Sequence, residues 1–333
     1  MKKIVFIFFI ALIILELLIR VTGIYKTYSE NVLGVYVSPY HKLNKTFFTW
    51  EPSTTISYNQ EEFNYINEIN ELGHRELPLD SFKNNNSVKI LCLGDSFTEG
   101  DGAPYDSSWV RRFEHLLNQN LDTNFVCYNA GVCGSDIFFN YMILKEKLSL
   151  IIKLDVVIEA LNVSDIDDVA FLGGAERFED VNQNPVIKWE PIYKYSHVFR
   201  AFLNSFKNYD ETLMNISDFE ERRKNAEDKI LKQAQKTAEY CKSLDIPYFL
   251  VIHPVPSEVI KLKKFHAYHG LFENEPYAIY LNSSFENYFK NNSVKEYAWE
   301  LNGHFNSKGY SLMGDFIFEE LYENDLFLKS FKP

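Results

Sequence analysis

Cysteine is scarce: there are four in 333 residues, at Cys92, Cys127, Cys133 and Cys241. No pair has Cys-x-x-Cys spacing, so the thiolate metal sites that such spacing marks are excluded. Cys92 and Cys127 lie in apolar runs, where cysteine behaves as a small hydrophobe. Cys133 follows Cys127 closely enough to approach it, but free thiols are the expectation. A basic cluster is also missing. Lys and Arg number 34 against 46 Asp and Glu, for a net charge of −12. Phosphate backbones are held by clustered cations, which argues against nucleic acid as a partner and against broad adhesion to anionic lipid. Internal repeats and low-complexity tracts are absent as well.

What is present is apolar. Such residues make up 46% of the chain, enough for a sizeable core in one large domain or two small ones. The N-terminus reads Met1-Lys2-Lys3 and then runs from Ile4 to Leu15 without a polar residue; Glu16, Leu17-Leu18-Ile19 and Arg20 follow. Two lysines before an apolar run place the start in the cytoplasm. Val21 to Ile24 extend the run toward the roughly 20 residues of a span, and Glu16 and Arg20 lie one helical turn apart. No small-x-small cleavage site follows. The expectation is an uncleaved signal anchor over residues 1–24, with a cleaved signal peptide as the competitor. Either puts the rest of the chain outside the cytoplasm, periplasmic or at the cell surface.

Residues 25–84 are polar and aromatic without strong periodicity, and are expected to be a lead-in packed on the domain that follows, with short strands. From residue 88 strands and helices alternate. Val88–Leu93, Asn124–Tyr128, Leu154–Leu161 and Ile246–Ile252 read as strands. Ser108 caps a helix with Trp109, Val110, Phe113, Leu116 and Leu117 on one face, and Ser135 caps another to about Leu150. A long amphipathic helix runs from Ser217 to about Ser243, and a last one from Ser307 to about Glu323. Residues 165–215 interrupt the alternation as an insertion with a short helix near His197–Phe206. Residues 257–293 read as an irregular, aromatic lid. Alternation of this kind implies an α/β fold with a parallel sheet and right-handed crossovers.

The first strand ends in Gly94-Asp95-Ser96-Phe97-Thr98-Glu99-Gly100. A strand that stops at glycine and presents serine at the next turn exposes a nucleophile at the carboxyl edge of a sheet. Glycine is absent from position 98, which excludes the Gly-x-Ser-x-Gly elbow of α/β-hydrolases. Three more segments follow strands or face the same edge: Asn129-Ala130-Gly131-Val132-Cys133-Gly134, Ala160-Leu161-Asn162-Val163 and Asn302-Gly303-His304-Phe305-Asn306-Ser307. Each alone is a weak signal, since Gly-Asp-Ser is often a plain turn and His304 alone would be a surface cap. In order, they resemble the four blocks of the SGNH (GDSL) hydrolases over roughly residues 85–325. The third block keeps its Asn but lacks the family's Gly and Asp; the last has Asn302 where the family has the acid before its histidine.

The resemblance implies a flavodoxin-like three-layer α/β/α domain over residues 85–333 with a central parallel sheet, and an ester hydrolase that needs no metal and no organic cofactor. Ser96 would be the nucleophile and His304 its base. Oxyanion donors would be the Ser96 and Gly131 N–H groups and the Asn162 amide, with Asp95 in support. Gly131 would be small to leave room for the substrate oxygen. Asn302 can orient His304 but carries no charge, and Glu300 or Asp165 are the other candidates for the acid. Asp165, Asp167 and Asp168 read as a solvated loop before a cation site. Trp189, Trp299 and His253 are candidates for a sugar cleft. The expected substrate is a small acyl ester, acetyl above all, on carbohydrate. A polysaccharide O-acyltransferase using the same residues and a non-catalytic polysaccharide-binding protein are the alternatives.

Overall fold

The computed structural model describes residues 2–22, 49–83, 86–149, 153–175, 195–205, 216–260 and 270–331, with Phe178, Ile192 and Tyr268 singly. The expected lead-in from 25 to 48, Trp189 within the expected insertion, and the 261–267 part of the expected lid lie outside them. The chain forms two compact units, Met1–Phe48 with Ala170–Lys224, and Thr49–Val169 with Asn225–Pro333.

The second unit is built on a sheet. Strands β1 (Thr55–Asn59) and β2 (Asn64–Glu68) form an antiparallel hairpin. Strands β3 (Val88–Leu93), β4 (Phe125–Asn129), β5 (Val156–Leu161), β6 (Tyr248–Ile252) and β7 (Ala278–Tyr280) form a parallel sheet in the order β4-β3-β5-β6-β7. That is the doubly wound order whose connections diverge on either side of β3, opening a crevice at the carboxyl ends of β3 and β5. Strands β5 and β6 are buried along their whole length, as expected where helices cover both faces. Ile90, Cys92, Val156, Ile158 and Ala160 pack with Trp109, Phe113, Tyr310 and Ile317 on one face. The other face holds Glu159, whose carboxylate receives the Tyr248 hydroxyl at 2.6 Å. The expected α/β/α architecture with a central parallel sheet is therefore what the chain forms.

Several local expectations shift. The helix expected to start at Ser135 is capped by Asp136, whose carboxylate accepts the Phe138 and Phe139 N–H groups. Ser135 instead donates its hydroxyl to the Gly94 carbonyl. This helix, Ile137–Ile143, passes into a π-helical turn over Leu144–Leu148. The stretch expected to be an irregular lid supplies β7 and the helix Asn282–Phe289. All four cysteines are free, so Cys133 and Cys127 form no bridge.

Residues 49–83 belong to the same unit as the sheet. The Arg75 guanidinium is buried and donates to the carbonyls of Glu99, Gly100 and Ala103, at 3.0, 2.7 and 2.5 Å. Trp50 donates its indole N–H to Glu99 Oε1 at 2.8 Å, and Cys133 N–H meets Glu99 Oε2 at 2.7 Å. Burial pushes the Glu99 carboxyl up to about 7. One buried acid thus ties the lead-in, the Ser96 turn and the loop after β4 together.

In the first unit an apolar helix spans Lys2–Thr22. At 1.5 Å per residue it is roughly 30 Å long, which matches the hydrocarbon core of a bilayer. It is the one described helix long and apolar enough to cross a membrane. Its Glu16 carboxylate accepts the N–H groups of His197 and Val198 at 3.0 and 2.9 Å and the Ser196 hydroxyl at 3.1 Å. Arg20 pairs with Glu16 at 2.8 Å and donates to the Tyr195 carbonyl. Glu16 therefore caps the short helix His197–Asn204, which satisfies amides that an N-terminus leaves open.

Candidate active site

The nucleophile turn is fixed by Gly94 before it, by Gly100 in the left-handed conformation at its end and by the acid Asp95. Gly94 has φ +152°, and a Cβ there would collide with Thr98. Asp95 caps the short helix Ser96–Glu99, its Oδ1 accepting the Phe97 N–H at 2.9 Å. Ser96 is thus the first residue of a helix, where the N–H has no intrahelical acceptor and the dipole favours negative charge.

His304 reaches Ser96 from the C-terminal loop, with Nε2 2.8 Å from Ser96 Oγ. Its Nδ1 lies 2.8 Å from Asn302 Oδ1. The Asn302 amide is oriented by its other end, Nδ2, which faces Asp101 Oδ2 at 3.5 Å. A carboxylate only accepts, so Nδ2 points at Asp101 and Oδ1 at the ring. Nδ1 must then carry the proton, which leaves the Nε2 lone pair to accept the Ser96 O–H. The tautomer needed for general-base chemistry follows from these two contacts.

Asp101 is the residue that sequence reasoning missed. Its Oδ2 lies 3.6 Å from His304 Nδ1, and Tyr65 donates its hydroxyl to Oδ1 at 3.4 Å. Neither acid considered from the sequence takes this place. Glu300 is exposed and contributes its N–H to Glu62, while the Asp165 carboxylate accepts the Asn162 N–H at 3.0 Å. Burial and the nearby Asp95 hold Asp165 well above the usual carboxylate range. It is no solvated loop residue, being 1% exposed.

Gly131 and Asn162 both follow strand ends beside Ser96. The Gly131 N–H donates to Asn129 Oδ1 at 3.0 Å, and Asn129 Nδ2 donates to the Thr98 carbonyl at 2.8 Å. A Cβ at Gly131 would sit 2.6 Å from the Thr98 carbonyl carbon. Contact with the nucleophile turn by itself requires glycine there. Asn162 donates Nδ2 to Asp95 Oδ2 at 2.9 Å, and its Oδ1 accepts from Ser164 N and Oγ. One Nδ2 hydrogen is left over, since the amide carries two. Asp95 thus caps the Ser96 helix with one oxygen and holds Asn162 with the other.

His253 follows β6 directly and is buried, its ring 5.3 Å from that of Phe97. Burial pulls it below the usual histidine range. Trp299 donates its indole N–H to the Gly102 carbonyl at 2.6 Å, which makes it a strut of the Asp101 turn.

No protein-family model and no curated relative matches the chain. Among solved structures it is similar to an acetyl xylan esterase, AlAXEase, at 17% identity over 70% of this chain and 98% of that one, with a TM-score of 0.45. It is also similar to the lipase Lip_vut3 from a goat rumen metagenome, at 17% identity over 70% and 97%, TM-score 0.43. A third is a two-domain esterase, CEX, active on acetylated mannans, at 14% identity over 77% and 53%, TM-score 0.39.

Proposed function

We propose that the chain is a serine esterase that hydrolyses small acyl esters through an acyl-Ser96 intermediate. The observation that carries this is the 2.8 Å contact between Ser96 Oγ and His304 Nε2, with Nδ1 held by Asn302, in the crevice at the carboxyl ends of β3 and β5. Ser96 Oγ attacks the ester carbonyl while His304 Nε2 takes its proton. The oxyanion develops against the Ser96 N–H and the spare Asn162 hydrogen; Gly131 joins them if its N–H turns from Asn129 Oδ1. The acyl C–O bond then breaks and His304 returns the proton to the departing alcohol. Water attacks the acyl-enzyme by the reverse proton path and releases the carboxylic acid.

Acetylated carbohydrate is the substrate to try first. Acetyl xylan and acetylated mannans are named for two of the solved proteins of similar fold, and they set the order of trial. Transfer of the acyl group to a sugar hydroxyl needs the same intermediate. The two differ only in whether water or sugar reaches acyl-Ser96.

The apolar helix Lys2–Thr22 is proposed to stay in place as a membrane anchor, with the catalytic unit outside the cytoplasm. Glu16 supports this, because removing the helix would leave the His197 and Val198 amides without their acceptor. Full-length protein in detergent should hydrolyse an activated acetyl ester, and a fluorophosphonate should label Ser96. Both should vanish in Ser96→Ala and fall at least 10³-fold in His304→Ala. Hydrolysis that survives in Ser96→Ala would reject the assignment.

A further inference from the structure

The imidazole of His304 faces three polar groups: Ser96 on the nucleophile turn, Asn302 on its own loop, and Asp101 on the turn Gly100-Asp101-Gly102. The Phe97 ring packs tilted against one face of it, with centroids 4.7 Å apart. Only Asp101 among these brings a negative charge. Its turn is built for one conformation. Gly100 and Gly102 both have positive φ, +87° and +89°, and a Cβ at Gly102 would run into the Trp299 ring. The Asp101 N–H donates to the Ser96 carbonyl at 2.9 Å, and its own carbonyl receives the Tyr310 hydroxyl at 2.8 Å. Tyr65 bridges the turn, donating to Asp101 Oδ1 and accepting the Gly102 N–H at 2.9 Å. The side chain is 13% exposed, so its charge is only partly screened by solvent.

We propose that Asp101 supplies the negative charge of the catalytic machinery, stabilising protonated His304 from 3.6 Å away while the neutral Asn302 sets the tautomer. The two tasks that one carboxylate performs in a serine triad, orientation and charge stabilisation, are divided here between two side chains. This inference rests on the proposed esterase chemistry of Ser96 and His304. A simple structural role for Asp101 is the competing account, since its backbone ties the turn whatever its side chain. Charge is what separates them: Asp101→Asn removes it at nearly constant shape, and since it also alters the acceptor that faces Asn302 Nδ2, the His304 midpoint decides and not the rate alone.

The surrounding charges matter for a pH test. Around the Asp101 turn lie buried Glu99, with its carboxyl pushed up to about 7 by burial, and the Arg75 guanidinium. Glu62 sits on the amides of the His304 loop. Glu99 also feels the Asp101 charge, which helps to raise it, so Asp101→Asn lowers the Glu99 titration as well; for that reason the His304 midpoint is read directly and not inferred from the rate profile.

The experiment uses the full chain in detergent and compares wild type with Asp101→Asn, Asp101→Glu, Ser96→Ala and His304→Ala. Two quantities are read: kcat and KM for an activated acetyl ester against pH, and the His304 titration midpoint by NMR of ¹³C-labelled histidine. Asp101→Asn is expected to lower kcat about 10²–10³-fold with KM changed less than about threefold. It is expected to move the His304 midpoint down by about one pH unit or more, the shift that a neighbouring opposite charge produces. Asp101→Glu should recover part of both. An unchanged His304 midpoint in folded Asp101→Asn would overturn the inference whether or not the protein turns over. So would kcat within threefold of wild type while Ser96→Ala and His304→Ala are inactive; the esterase assignment would then stand. Wild-type hydrolysis no faster than Ser96→Ala would reject the esterase assignment instead, and the NMR midpoint would still decide for or against Asp101. If Asp101→Asn fails to fold, Asp101→Glu decides alone: an unchanged midpoint and rate profile after displacing the carboxylate by one methylene would count against the inference.

Discussion

Glu62 holds Asn302 by its backbone: Glu62 Oε2 accepts the Asn302 N–H at 2.8 Å and the Leu301 N–H at 2.9 Å, and Oε1 accepts the Glu300 N–H at 2.7 Å. The loop that presents His304 is therefore hung from the tip of the β1–β2 hairpin, with Phe63 against the Trp299 ring beside it. Glu62 lies near the surface, so its contribution to global stability is small, but it sets where the imidazole sits. Glu62→Ala is expected to lower kcat about tenfold with a melting temperature within a few degrees of wild type, because small misplacement of a base costs rate steeply. Burial works against the Glu62 charge, yet the Leu301, Asn302 and Glu300 amides outweigh it and keep the carboxyl below its ordinary value. A depressed carboxylate adds stability above its unfolded pKa and loses it as pH falls through the folded one. The loop should therefore loosen on acidification below about pH 4.5, seen as lower amide protection factors, relative to the intrinsic exchange rate at each pH, at residues 300–302 in wild type. Glu62→Gln should already be loosened at neutral pH.

Asn302→Asp tests the relation between Asn302 and Asp101 directly. A lone triad acid restored at this position would raise turnover by orders of magnitude, since the reverse change, Asp to Asn in the trypsin triad, costs about 10⁴ in rate. Here the new carboxylate would sit beside Asp101, whose Oδ2 is 3.5 Å from the Asn302 amide nitrogen. Two carboxylates that close share a proton and titrate as a pair. The gain at pH 7 is expected to stay below about threefold and to grow toward higher pH as the shared proton leaves. A pH–rate profile of the variant checks this; a 10²-fold gain already at pH 6 would mean that Asp101 does not face the site.

The strand-helix alternation was legible because β3, β5 and β6 are apolar runs, broken only by Lys89 and Glu159, that end at residues with chemistry. Ser96, Gly131, Asn162 and His304 each follow or face such an end, so order alone pointed to them. Asp101 was not legible, because nothing in one dimension ties it to a histidine near the C-terminus. The usable signal was an acid between two glycines in the same turn as the serine. Strand β7 was missed because three residues carry no period. The Ser135 cap failed by one position, since Ser135 and Asp136 are both good caps and only the Gly94 carbonyl decides between them. Short strands are expected in the lead-in, but the hairpin β1–β2 could not be placed, because in β2 the polar Asn67 is buried and the apolar Ile66 exposed, against the alternation, while Tyr58 and Tyr65 stack at 4.6 Å on the buried side.

Glu159 predicts a pH dependence of stability. Its carboxyl is wholly buried in β5 with the Tyr248 hydroxyl at 2.6 Å, and burial pushes it up to about 7. A carboxyl raised in the folded state favours folding below its unfolded pKa, and that contribution is lost as pH rises through the folded value. Wild-type stability should fall between about pH 4.5 and pH 7 on this account. Glu159→Gln keeps a partner for Tyr248 and has no charge to desolvate. Its melting temperature relative to wild type should therefore be higher at pH 8 than at pH 5, by several degrees, in a calorimetric scan at both values. A constant difference across that range would place the titration elsewhere.

Gly131→Ala separates a steric role for this glycine from a binding one. A Cβ there lands on the backbone of the nucleophile turn, 2.6 Å from the Thr98 carbonyl carbon and 2.8 Å from Thr98 Cβ. Backbone cannot step aside as a flexible side chain can, so the Ser96–Glu99 helix must shift or the loop after β4 must retreat. Overpacking of this kind costs about 1–3 kcal/mol. If the glycine served only to clear the substrate oxygen, stability would be unchanged and KM would rise. The collision instead predicts a lower melting temperature together with at least a 10²-fold loss of kcat, as Ser96 moves off the 2.8 Å contact with His304. Because Asn129 joins both segments, donating to the Thr98 carbonyl and accepting the Gly131 N–H, Asn129→Ala should produce the same pair of losses more weakly and without any clash. Normal stability in both variants would show that the two segments are not braced against each other.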